Sequence, residues 1–194
     1  RFIRPWAVEQ GNARETLQNN GLGTPIGYTG MTWSGFRPSD DACEYHYLIP
    51  ANCFAAVILG ELAAIALEAL RVRREIVQGI EAYGIVHHPR FGRIYAYEAD
   101  GLGHFRLMDD ANVPSLLSLP YLGYLPPEDP VYQNTRAWLL SEENPCYFQG
   151  KAACGVGSEH TAAGYVWPIA LAMQGLTANC FEEKERIIRL LLGT

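Results

Sequence analysis

Three prolines place the strongest constraint on how this 194-residue chain can fold. Pro50, Pro114 and Pro168 each follow a polar or aromatic loop, and each stands near the start of an apolar pattern. Proline lacks the N–H that only the later turns of a helix require, so it sits well in a first turn and marks a helix start. The three recur roughly every sixty residues, a period that suits a loop followed by a helical hairpin. Hairpins stacked in one orientation gather their polar loops at one end. The pattern therefore predicts an all-α fold, with a site assembled at that end from segments distant in sequence.

Finer periodicity agrees. Phe54, Ile58, Leu62, Ile65 and Leu70 have helical spacing over residues 50–70, and a second helical stretch, 73–83, either continues that helix or folds back as a hairpin. Gly84 ends it, residues 93–97 read as a short strand, and further helices are predicted at 113–122, 129–142, 164–175 and 182–192. The first forty residues, rich in glycine and polar side chains, read as loop and short strand. The apolar stretch 48–70 approaches the length of a membrane span. Glu61 and Glu68 interrupt it, however, and its alanines suit close packing, so it is expected to be buried in protein rather than in a membrane.

The size suits one hydrophobic core and a single domain over 1–194. A formal charge of −6 with dispersed cations argues against a nucleic-acid partner. Five cysteines without a Cys-x-x-Cys pair form neither a zinc framework nor a complete disulfide scaffold; they favour a reducing compartment, hence a cytoplasmic protein over a secreted one. The chain opens Arg1-Phe2-Ile3-Arg4-Pro5, without an initiator Met or a signal peptide, and reads as a processed or partial chain.

Asp109 and Asp110 are the leading candidates for chemistry. A helix starting here is best capped by Asn112, which places Pro114 in the first turn and leaves both aspartates without capping duty. Adjacent like charges raise the proton affinity of one carboxylate, while a nearby helix N-terminus opposes that effect. Such environments suit acid or base roles. The plainer alternative pairs one aspartate with Arg106. Magnesium binding for diphosphate chemistry lacks a second ligand turn, since residues 116–119 offer nothing to a cation. Residues 32–41 combine Trp33, Phe36, Arg37, Asp40 and Asp41, which suits sugar recognition; Ser39 or Asp40 as a cap with an Arg37–Asp ion pair is the alternative. His160 lies in a glycine-bounded loop before an apolar helix, and His87-His88 reads as a turn rather than a metal site. Tyr121, Tyr124, Tyr132, Trp138, Tyr147 and Phe148 supply either a binding wall or core, with Trp138 assigned to the core. No nucleophile elbow, P-loop or dinucleotide-binding glycine pattern is present.

Several segments together resemble the metal-independent exo-α-1,6-mannosidases of glycoside hydrolase family 125. They are residues 30–41 (Gly-Met-Thr-Trp-Ser-Gly-Phe-Arg-Pro-Ser-Asp-Asp), 47–52 (Tyr-Leu-Ile-Pro-Ala-Asn), 95–98 (Tyr-Ala-Tyr-Glu), 108–120 and 165–177. The resemblance implies part of an (α/α)6 toroid that hydrolyses terminal α-linked mannose in N-glycan or mannan fragments, with inversion and without metal or cofactor. Its partner would be an α-mannoside oligosaccharide. It also implies that one aspartate of the pair is the proton donor. Similarity to glucoamylase-type toroids favours Asp109, with Asp110 binding sugar hydroxyls or sustaining its neighbour's proton, although the motif fits either order. Trp33, Arg37, Asp40, Asp41, Asn112 and His160 are the implied sugar holders. The resemblance also has gaps. A full toroid needs on the order of 350 residues. The family's early Arg-Asp-Ser-Ser segment is absent, and Glu159 stands where its Gly-x-Pro-His segment has proline. The His-Glu segment that carries its general base would lie beyond Thr194. A fragment without turnover is expected, and a helical carbohydrate-binding or scaffold protein is the alternative.

Overall fold

The computed structural model describes residues 16–193; the loop reading of residues 1–15 lies outside them. Strand β1 (Tyr47–Leu48) runs straight into helix α1 (Ile49–Leu62), with Pro50 in the first turn as its missing N–H predicts. The chain turns over residues 63–67 and returns as α2 (Glu68–Gly79), which continues into a π-helical turn, Ile80–Gly84. Residues 50–83 are thus a hairpin and not one long helix. Strands β2 (Ile85–His88) and β3 (Gly92–Tyr95) form an antiparallel pair, with Ile85 opposite Tyr95 and His88 opposite Gly92. His87 and His88 therefore lie in a strand rather than a turn, and His88 Nε2 meets Glu143 at 3.1 Å.

A second sheet has β4 (Glu98–Ala99) between β1 and β5 (Phe105–Arg106). Helix α3 (Pro130–Leu139) is capped by Asp129, whose carboxylate accepts the Tyr132 N–H at 2.9 Å. It packs on β3, where Thr135 Oγ1 accepts the Tyr95 N–H. Strands β6 (Tyr147–Gln149) and β7 (Cys154–Val156) pair antiparallel. The chain then forms a second helical hairpin, α4 (Pro168–Leu176) and α5 (Phe181–Gly193). Arg136 of α3 ties this hairpin on, donating to the Gln174 carbonyl and to Glu183.

Among the described residues the architecture is helical with three small antiparallel sheets, so the all-α expectation is too narrow. The expected strand at 93–97 is β3, whereas two- and three-residue strands are too short to leave a period-two signal among helical patterns. A second correction concerns residues 113–122, which form turns and no helix. Ser115 and Ser118 satisfy one another's backbone: Ser118 Oγ accepts the Ser115 N–H and donates to the Ser115 carbonyl, and Ser115 Oγ accepts the Ser118 N–H. Side-chain bonds of this kind compete with a helical ladder. Asn112 consequently caps nothing.

The core lies between α1, α2, β3, the 108–119 segment and α3, where Ile49, Ile76, Ile80, Ile94, Leu119 and Trp138 are fully or almost fully buried. The functional candidates border this core because β4, β5 and the residues just after β5 emerge from it.

Candidate active site

Residues 36–42 close on themselves through a bridge between Phe36 and Ala42, with the Arg37 N–H donating to the Asp41 carbonyl at 2.8 Å. Asp40 takes the left-handed conformation at the turn (φ 68°), which Asp tolerates better than most residues, and its side chain faces solvent. Arg37 and Asp41 point inward. Arg37 Nε donates to Glu98 Oε1 at 2.6 Å, both groups being buried, and the other Glu98 oxygen accepts the N–H groups of Glu44 and Tyr45, each at 3.0 Å. Every polar contact that a buried carboxylate needs is thereby supplied.

The charges continue outward from this pair. Arg37 Nη1 donates to Glu159 at 2.9 Å, Arg106 Nη2 to the other Glu159 oxygen at 2.7 Å, and Arg106 Nη1 to Glu44 at 2.7 Å. Three carboxylates share two guanidiniums. Arg106 thus pairs with glutamates and not with the aspartate pair. Arg37, Asp41, Cys43, Glu44, Arg106 and Glu159 line a polar cavity of about 340 Å³. Its walls offer both donors and acceptors, which suits hydroxyl-rich ligands.

Asp110 is buried and is not part of the cavity lining. Its Oδ1 accepts the Asn112 N–H at 2.9 Å and Asn112 Nδ2 at 2.7 Å, and its Oδ2 accepts the Ser158 hydroxyl at 2.8 Å. Ser158 Oγ accepts the His160 N–H, and His160 Nδ1 lies 3.3 Å from Asp41 Oδ1. A polar chain therefore joins Asp110 to the cavity through Ser158, His160 and Asp41. Tyr97, wholly buried, has a hydroxyl without a hydrogen-bond partner. Burial, with the charges of Asp110 and Asp109 nearby, holds its phenol well above the ordinary range, so it remains a donor.

Asp109 faces another way. Its two oxygens accept the N–H groups of Leu116 and Leu117 at 2.8 and 3.0 Å, fixing the turn that replaces the expected helix. Burial pushes its pKa up to about 8, the Asp110 charge adds to this, and the amide donors oppose it. The premise that capping leaves both aspartates free is thus corrected, since Asp109 itself holds the backbone. Trp33 stands apart from the cavity lining and stacks on His46 with ring centroids 4.9 Å apart. His46 is itself held between the Ser34 carbonyl and the Thr24 N–H.

Of the residues singled out from sequence, the fold unites Arg37, Asp41, Asp110, Asn112 and His160; Asp40 and Trp33 lie outside this network, and Asp109 adjoins it while serving the turn. Sequence reasoning missed Glu98, Ser158, Tyr97 and the bridging role of Glu159. Tyr97 and Glu98 carried a signal, since both lie in the 95–98 segment that resembles the family and Glu98 directly follows the apolar run Ile94-Tyr95-Ala96-Tyr97, where burial demands a partner. Among the described residues, no group of three or more His, Cys, Asp or Glu side chains is placed to hold a metal ion, and no helix is long and apolar enough to cross a membrane.

The chain is 47% identical over 188 residues to the meiotically up-regulated gene 157 protein of Schizosaccharomyces pombe, covering 91% of this chain and 37% of that protein. It superposes with a TM-score of 0.91 and 47% identity on a Streptococcus pneumoniae metal-independent α-mannosidase solved in a non-productive complex with α-1,6-mannobiose, covering 95% of this chain and 46% of that one. The chain thus spans less than half the length of each of these relatives. The model of the metal-independent α-mannosidases, glycoside hydrolase family 125, matches residues 4–194, and the chain belongs to that family.

Proposed function

We propose that the protein containing this chain removes terminal α-1,6-linked mannose from N-glycan or mannan fragments with inversion, in an (α/α)6 toroid of which these residues form one part. Arg37, Asp41 and His160 hold the sugar at the cavity, and Asp110 is the proton donor. The observation that carries this reading is the polar chain from Asp110 through Ser158 and His160 to Asp41.

The choice of Asp110 over Asp109 rests on hydrogen-bond inventory. Both Asp109 oxygens accept from backbone N–H groups, which have no other role to take up. Asp110 Oδ2 instead meets a hydroxyl, and a hydroxyl both donates and accepts. The carboxylate left after proton transfer accepts from that hydroxyl. Inversion also needs a base roughly 6.5–9.5 Å from the acid to activate water. Glu98 and Glu159 are both ion-paired with Arg37, and the family resemblance implies a base in a His-Glu segment of the full-length protein outside these residues.

The test is Asp110→Asn in the full-length enzyme, assayed on α-1,6-mannobiose and on an aryl α-mannoside whose leaving group needs little protonation. The expected loss is about 10²- to 10⁴-fold on mannobiose and far less on the aryl substrate. Equal losses on both would overturn the assignment of the acid. The paired state of Glu98 and Glu159 also favours a second reading for the 194-residue polypeptide alone, that of a mannoside-binding unit. It is expected to bind mannobiose, seen as a change in Trp fluorescence, without releasing β-mannose.

A further inference from the structure

Glu159 is left without a task by the proposed reaction, yet it bridges both arginines of the cavity wall. Its two oxygens accept from Arg37 Nη1 and Arg106 Nη2, side chains of the 36–42 loop and of β5. Each arginine already has a carboxylate of its own, Glu98 for Arg37 and Glu44 for Arg106. Neutralising them is therefore not what Glu159 adds. What it adds is a tie between two elements and the 157–161 loop.

That loop carries the groups nearest the proposed acid. Ser158, fully buried, donates to Asp110, and His160 faces Asp41. Before Ser158 the backbone is well fixed: the Gly157 N–H donates to the Cys146 carbonyl at 2.8 Å, and the Ala111 N–H donates to the Gly157 carbonyl at 3.0 Å. After Ser158 the other side-chain ties are neutral or long: Trp167 Nε1 donates to Thr161 Oγ1 at 3.1 Å, His160 lies 3.3 Å from Asp41, and Thr161 Oγ1 is 3.5 Å from the Ser158 carbonyl. The short, charged ties on that side belong to Glu159. A hydroxyl-to-carboxylate bond weakens steeply with misalignment, so the loop must be held on both sides of Ser158 to keep it.

We propose that Glu159 is a positioning residue for Asp110: its double bridge to Arg37 and Arg106 holds the loop so that the Ser158 hydroxyl stays on Asp110 Oδ2. It acts through Ser158 and not on the sugar. The inference rests on the reading of Asp110 as the acid, but its test needs no mannoside.

The experiment uses the 194-residue chain labelled with ¹³C at the aspartate side-chain carboxyls, with the Asp110 resonance assigned by its loss in Asp110→Asn. Ser158→Ala is expected to move that resonance. Glu159→Ala should move it in the same direction by a comparable amount, and the double variant no further than Ser158→Ala alone, as groups acting in series require. Glu159→Gln, which keeps the side chain's size and one accepting oxygen, should give a smaller shift of the same sign. The proposal is overturned if Glu159→Ala leaves Asp110 at the wild-type position, or if the double variant shifts it by the sum of the two. Should Glu159→Ala not fold, the absence of any shift in Glu159→Gln overturns it equally. Failure of the chain to bind α-1,6-mannobiose would count against the mannosidase reading of the site, while the Asp110 comparison would still decide the role of Glu159.

Discussion

Asp109 and Asp110 are adjacent in sequence, are buried to the same extent and do different work. Their adjacency was legible in the sequence, whereas the division between them was not. The amides of Leu116 and Leu117, which reach Asp109 only because residues 113–122 form turns instead of a helix, tie Asp109 to the backbone and oppose the retention of its proton. Burial raises the Asp109 pKa to about 8, well above its ordinary value. A folded-state pKa above the unfolded one means that the native state binds the extra proton. The resulting stabilisation is full below about pH 4 and is lost as pH rises towards 8, with a slope of up to about 1.4 kcal/mol per pH unit for one proton. Thermal melts of the wild-type chain between pH 5 and 9 should therefore show stability falling through this window. Asp109→Asn, neutral throughout, should flatten the fall; an unchanged slope in that variant would show that Asp109 does not carry the proton.

At the scale of elements, the proline rule succeeded where the local chain had no alternative bonds to make and failed where it did. Pro50 and Pro168 open α1 and α4, and Pro130 opens α3 behind its Asp129 cap. Pro114 opens no helix, because Ser115 and Ser118 close a turn with their own hydroxyls and Asp109 takes the next two amides. The serines' part in this turn can be measured. Ser118→Ala removes the buried acceptor of the Ser115 N–H, and an unsatisfied buried amide costs about 1–3 kcal/mol. Urea unfolding should show a loss of that size with an unchanged denaturant slope, and far-UV circular dichroism should show no loss of helix. A drop in helical signal with the same stability would instead place a helix in this segment. The 93–97 strand was legible and is β3, but most of the other strands were not, since two-residue strands such as β4 and β5 are defined by their partners and not by any pattern of their own.

For the whole molecule, the expectation that the apolar stretch 48–70 is buried holds on one side only. Ile49, Cys53 and Ala56 face the core, whereas Phe54, Ile58 and Leu62, spaced by four and so on one stripe of α1, are between 38% and 42% exposed, and Ile65 and Leu67 beyond them are exposed further. Helix α5 repeats the arrangement with Phe181, Ile188 and Leu192 exposed along one side. Periodicity reports that a helix is apolar all round, but it does not report which neighbours a given stretch of chain brings with it. Contiguous apolar surface of this kind drives association in water, because each ångström squared removed from solvent contributes about 25 cal/mol. The 194-residue polypeptide should therefore bind an apolar dye and gain mass with concentration in light scattering. Replacing Phe54 and Ile58 together by Gln should reduce both effects without lowering the melting temperature, since neither side chain belongs to the buried core. A polypeptide that stays monomeric at high concentration, with no dye response, would show that the stripe is covered in solution by the chain's own residues.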